Sequence, residues 1–174
     1  MNDTQLLNNG YPMPKVGFGV YKITDEDMPK VIQQAIETGY RAFDTAYFYG
    51  NEASLGQALK NSGVPREELF ITSKVWNDHQ GYEQTKAYFQ RSLDNMGLDY
   101  FDLFLIHWPC EQNGRYIETY KALEDLYHEG KVKAIGVCNF KMHHLEKLMQ
   151  ETNIVPQINQ IELHPYFNQQ DVQD

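Results

Sequence analysis

Short apolar runs recur about every thirty residues along this chain, and each ends on a polar side chain that does not belong in a core. Arg41-Ala42-Phe43 leads into Asp44, Phe70-Ile71-Thr72-Ser73 into Lys74, Leu103-Phe104-Leu105-Ile106 into His107, and Ile135-Gly136-Val137 into Cys138 and Asn139. From Asp44 to Lys74, His107 and Asn139 the steps are 30, 33 and 32 residues, one strand and one helix each. Strands are expected at residues 16–21, 40–44, 69–74, 101–107, 132–138 and about 157–163. Between them run helical stripes: Val31, Ile32, Ala35 and Ile36; Leu55, Ala58 and Leu59; Tyr116, Tyr120, Leu123 and Tyr127; and Met142, Leu145 and Met149. Their spacings of three and four fit a 3.6-residue period. Gly39, Gly63, Gly97 and Gly130 stand where helical patterns stop. Nearly continuous apolar strands alternating with helices belong to the α/β class, with parallel strands covered on their faces.

In such folds, ligands sit beyond the carboxyl ends of the strands. An open sheet spreads four consecutive strand ends along a line, whereas a barrel gathers them around one mouth. No Gly-x-Gly-x-x-Gly follows any strand, so the doubly wound nucleotide fold lacks its signature. The expectation is a (β/α)8 TIM barrel. Ahead of it, Leu6-Leu7-Asn8-Asn9-Gly10-Tyr11 has the Asn-Gly signal of a tight hairpin, placed to plug one end of the barrel. No linker or composition shift divides residues 1–174, so one barrel domain is expected.

Composition removes several functions. Fifteen Lys+Arg against twenty-four Asp+Glu give a net charge of −9, a poor match for a phosphate backbone, so no nucleic-acid partner is expected. The opening Met-Asn-Asp-Thr-Gln-Leu-Leu has neither the basic start nor the apolar core of an export signal. The longest clean apolar run near the middle, Leu103 to Ile106, is far short of the ~20 residues of a membrane span. Two cysteines, Cys110 and Cys138, make no disulfide framework. A reducing, cytoplasmic setting is expected.

The strand ends make a coherent set. Tyr49 lies five residues past Asp44, on the loop beyond that strand. A phenol with pKa near 10 can donate a proton at neutral pH. A nearby ammonium, from Lys74, is expected to pull that pKa down and ease the transfer, with Asp44 holding Lys74 in place. His107, if neutral, can donate a hydrogen bond that orients a carbonyl. No nucleophile stands beside a base, which argues against acyl transfer. Metal-dependent hydrolysis is weighed on Glu162-x-His164 and on His143-His144 near Glu146. It is set aside because adjacent helical positions diverge by about 100° and no His-Glu-x-x-His occurs. No metal is expected.

Asp44-Thr45-Ala46-Tyr47-Phe48-Tyr49-Gly50-Asn51-Glu52 resembles the aldo-keto reductases, (β/α)8 barrels that reduce carbonyls with NADPH. The resemblance extends, in family order, through Gly17-Phe18-Gly19-Val20, Ile71-Thr72-Ser73-Lys74-Val75-Trp76 and Asp102-Leu103-Phe104-Leu105-Ile106-His107-Trp108-Pro109. It ends with Gly136-Val137-Cys138-Asn139-Phe140 and Asn159-Gln160-Ile161-Glu162-Leu163-His164-Pro165. It implies Tyr49 as general acid, Lys74 and Asp44 as the pair that tunes it, and His107 as the carbonyl-orienting residue. Asn139 and Gln160 match positions that hold the nicotinamide carboxamide, and Cys138 stands where the family usually has serine. Tyr21, Trp76 and Trp108 match the aromatic substrate pocket. The implied reaction reduces a small-molecule aldehyde or ketone to the alcohol.

A full barrel has eight strands and typically ~250 residues. Six strands and five helices are expected here, so the barrel is incomplete. In the family, the remainder carries the aromatic that stacks on the nicotinamide and the basic residues that grip the 2′-phosphate. Two unpaired sheet edges are then expected, open to self-association. Either the chain is a truncated reductase with impaired activity, or association completes it. A non-catalytic, regulatory relative is the alternative, though none of the four catalytic positions is lost.

Overall fold

The structure, a computed structural model, describes residues 3–173. Met1, Asn2 and Asp174 lie outside the described residues, and with them part of the opening segment read above for an export signal. An antiparallel hairpin comes first, β1 (Thr4–Leu6) with β2 (Pro12–Pro14). Six parallel strands follow in simple order: β3 (Gly17–Gly19), β4 (Ala42–Asp44), β5 (Phe70–Val75), β6 (Phe101–Ile106), β7 (Val132–Cys138) and β8 (Asn159–Gln160). The crossovers hold α1 (Met28–Thr38), α2 (Glu52–Asn61), α3 (Tyr82–Met96), α4 (Tyr116–His128) and α5 (Met142–Glu151), and a short α6 (Gln170–Gln173) closes the chain. Among the described residues, no helix is long and apolar enough to cross a membrane.

The sheet is curved into most of a barrel. In a flat sheet, strands four apart would lie ~19 Å from each other at ~4.8 Å per step. Yet Gln160 Nε2 on β8 donates to Asp44 Oδ2 on β4 at 2.9 Å. Side chains therefore alternate between two cores. Phe43, Ile71, Phe104, Ile106, Ile135 and Val137 face outward onto the helices. Ala42, Phe70, Leu103, Leu105, Ala134 and Cys138 face inward. This period of two sets the direction of each strand-end residue.

Three helices end as their glycines predict. At α1, Gly39 is left-handed (φ 102°), its N–H donates to Ile36 O, and the Tyr40 N–H donates to Ala35 O. The pattern repeats at Gly97–Leu98 and Gly130–Lys131. Each closes orphan carbonyls and turns the chain into the next strand.

The hairpin plugs the barrel floor as expected. Leu7 is buried among the inward-facing side chains. Tyr11 donates its hydroxyl to Asp102 Oδ1 (2.7 Å), while Asp102 Oδ2 accepts from Arg66 and from the Ile71 N–H.

Two expectations fail in detail. The sixth strand, expected at 157–163, pairs only at Asn159–Gln160, and the first, expected at 16–21, only at Gly17–Gly19. Each has a neighbour on one side alone, and beyond the paired residues the contact with that neighbour continues through Gln157 N–H to Ile135 O, Val137 N–H to Ile158 O and Val20 N–H to Asp44 O. Of the stripe Met142, Leu145 and Met149, only Leu145 packs against the core. Both methionines are exposed, and α5 buries His144 and Leu148 instead.

Candidate active site

Inward-facing positions carry the polar residues to one place. Ala42 and Asp44, Phe70, Thr72 and Lys74, Leu105 and His107, and Ala134, Gly136 and Cys138 are successive residues on the same face of their strands. Gly136 matters for steric reasons, since a Cβ there would lie 2.4 Å from Ile158 O. Only glycine lets the β8 segment come close enough for Gln160 to reach the centre.

Lys74 is the buried centre of the site, 1% exposed. Its Nζ donates to Asp44 Oδ1 (2.5 Å) and to Thr45 O (2.9 Å), and it lies 5.3 Å from the centre of the Tyr49 ring. Asp44 is thus shared between Lys74 and Gln160. Tyr49 sits in a 3₁₀ turn, Tyr47–Tyr49, entered directly from β4. Its ring centre is 5.7 Å from that of His107 and 4.7 Å from that of Tyr21. The structure therefore brings Asp44, Tyr49, Lys74 and His107 together.

Burial and charge set their protonation. The His107 pKa is pushed down to about 4, first by desolvation and then by the Lys74 ammonium, so the ring is neutral. Its Nδ1 is buried without a partner among the described residues. Tyr49 departs from expectation: its pKa is raised, because loss of water around the phenol outweighs the downward pull of Lys74. Asp44 also adds an upward push and offsets part of the ammonium's field. Cys138 is pushed up to about 12 by burial, which keeps its thiol protonated and unreactive. It lies 3.7 Å from Gln160 Oε1, a long contact for the weak S–H donor.

Asn139, left-handed at φ 61°, donates Nδ2 to His107 O at 3.1 Å, and no described residue donates to its Oδ1. Among the aromatics, Trp76 lies edge-on to His107 (5.1 Å) and Tyr21 flanks Tyr49. Trp108 is placed differently. It lines a neighbouring cleft with Asn77, Cys110 and Glu111.

Sequence reasoning missed a supporting layer. Phe48 stacks on Trp76 at 3.8 Å and extends the aromatic wall. Gln80, 1% exposed, donates to Trp108 O and joins two of the mouth loops. Asn51 accepts from Thr45 Oγ1 and donates to Val20 O, while buried Glu52 accepts from Ser73 Oγ and Asn95 Nδ2. Phe48, Asn51 and Glu52 lie within the segment Asp44–Glu52 that carries the resemblance, whereas Gln80, four residues past Trp76, had no such signal.

The aldo/keto reductase family profile matches residues 15–174. Glyoxal reductase of Bacillus subtilis is 50% identical over the whole of this chain, which spans 63% of that protein. An aldo/keto reductase structure from Brucella melitensis superposes with a TM-score of 0.94 at 44% identity, over 98% of this chain and 67% of that one. A Bombyx mori aldo-keto reductase in complex with NADP gives 0.91 at 35% identity, over 98% of this chain and 61% of that one. The chain spans about 60% of the length of the curated relatives it matches. By its matched segments, its curved parallel sheet and these likenesses, the chain belongs to the aldo/keto reductase family.

Proposed function

We propose that these residues form the reacting end of an NADPH-dependent reductase of small aldehydes and ketones. The observation that carries the reading is buried Lys74, fixed by Asp44 and set beneath Tyr49, with a neutral His107 alongside. The donor set fits a nicotinamide carboxamide, which both donates and accepts. Asn139 Oδ1 is available to accept, and Gln160 is an amide held at the mouth by Asp44. When bound, the dihydronicotinamide supplies hydride to the carbonyl carbon.

Everything else falls to this chain. Tyr49, kept protonated by its raised pKa, gives its proton to the developing alkoxide. The Lys74 ammonium then stabilises the phenolate left behind, with Asp44 preventing it from swinging away. Neutral His107 has a ring N–H to offer the carbonyl oxygen, whereas an imidazolium beside Lys74 would be repelled. Tyr21, Phe48 and Trp76 present flat apolar faces to the substrate and keep water from it.

The test is Tyr49→Phe in a chain extended by the carboxyl-terminal portion that its relatives possess. Cofactor binding should persist while aldehyde reduction falls by about 10²–10⁴-fold, the usual worth of a positioned proton donor. A variant within threefold of its parent in steady-state rate removes Tyr49 from the role.

A further inference from the structure

We propose that Glu111, His143 and His144 form a site for a divalent transition-metal ion of the zinc class, on the rim of the mouth. Among the described residues, this is the one place where three such side chains bring their ligand atoms within 4.8 Å of one another. Glu111 stands in the turn that follows β6, and the two histidines open α5 after β7. His143 Nε2 is 2.8 Å from Glu111 Oε1, His144 Nε2 contacts the same oxygen, and the two imidazole centres are 3.9 Å apart. Adjacent helical positions do diverge at their Cβ atoms. In the first turn of α5, however, both rings lean across to one carboxylate some thirty residues away in sequence, which overturns the argument that set this pair aside.

The arrangement has the chemistry of an open metal centre. Two imidazoles and a carboxylate are a ligand set that zinc accepts, at ~2.0–2.2 Å from each atom, with a further position left for water. Nitrogen donors favour zinc, copper or nickel over magnesium or calcium. The open side is a cleft of about 530 Å³ that also holds Trp108 and Cys110. Lys141 lines the same cleft, and its ammonium is 3.7 Å from Asp171.

One constraint is built in. The Lys141 N–H donates to His144 Nδ1 at 3.0 Å, so the neutral ring carries its proton on Nε2. Coordination through Nε2 moves that proton to Nδ1 and releases the Lys141 N–H from its cap. Metal uptake thus tightens the contact between two mouth loops while loosening one helix cap.

The site does not rest on carbonyl reduction, and its test is direct. Zn²⁺ is titrated into the tag-free chain, with uptake read by calorimetry and by Trp108 emission. One ion per chain is expected at micromolar protein. Glu111→Gln, His143→Ala and His144→Gln should each weaken binding by more than the ~10–100-fold that loss of an outer partner costs a metal site. Glutamine at position 144 can still accept from the Lys141 N–H, so that variant keeps the cap. His164→Ala, at the separate Glu162–His164 pair, should change nothing. No uptake at micromolar protein, or uptake indifferent to Glu111→Gln and His143→Ala, overturns the site. Binding that falls in those two but survives His144→Gln overturns the three-ligand assignment.

Discussion

His107 shows how one side chain couples the chemistry to the stability of the fold. Its pKa is about 4 in the folded chain against an ordinary value near 6.5, so folding favours the neutral ring. Above pH 6.5 the ring is neutral in both folded and unfolded chains, and its contribution is fully present. As pH falls from 6.5 through 4, the unfolded chain takes up the proton first and stability is lost. His107→Gln removes this term. Urea unfolding at pH 7 and pH 5 should therefore show a smaller drop for the variant than for the parent, and equal drops would show that the ring is not desolvated as described. The site was legible residue by residue because polar side chains at the ends of apolar strands are conspicuous. The Glu111–His143–His144 cluster was not, since nothing in sequence ties residue 111 to residue 143. Nor was the sign of the Tyr49 shift, which depends on how much water the fold removes from the phenol.

Among the elements, α2 and α3 come close together at Gly56. A Cβ on Gly56 would lie 2.2 Å from Met96 O and 2.6 Å from Met96 Cα, both backbone atoms that cannot turn aside. Alanine gains ~1 kcal/mol of helix propensity over glycine, but forced overpacking typically costs 1–3 kcal/mol. Gly56→Ala should therefore be net neutral to destabilising by up to about 2 kcal/mol in urea unfolding, and clear stabilisation would mean the helices are not in contact there. Element order and strand positions were readable because each strand from β4 to β7 is buried on both faces and so is written in apolar residues. The helix α5 misled for a physical reason. Its methionine stripe has the right period, but periodicity does not say which side has a neighbour, and the side that packs is the one bearing His144 and Leu148. The strand β8 misled too, since residues 157–163 mix polar and apolar side chains and their ladder with β7 covers only Asn159 and Gln160.

At the scale of the whole molecule, six parallel strands curve far enough to bring β4 and β8 into contact, yet β3 and β8 remain edges. Asp44, Thr72 and Gln160 border a cavity of about 410 Å³ that also reaches Gly17 and Ile161 at those edges. Nearby, Tyr166 is 98% exposed and Leu163 is 55% exposed. Such edges invite pairing with another chain, and self-association through them is part of our reading. Our central proposal is that these 174 residues hold the reacting end of a carbonyl-reductase site, and that the groups the family resemblance implies at the far end of the cofactor are not among them. Charge-assisted hydrogen bonds of that kind contribute ~1.5–3 kcal/mol each, and every ~1.4 kcal/mol is tenfold, so lacking two or three weakens binding by several powers of ten. The most direct measurement is an NADPH titration of the verified monomer, followed by Trp76 and Trp108 emission, alone and with a separate polypeptide spanning the relatives' remaining strands. The account predicts weak binding and negligible aldehyde-dependent NADPH oxidation alone, with both restored by the added polypeptide. Micromolar binding and ordinary turnover by the chain alone would contradict it.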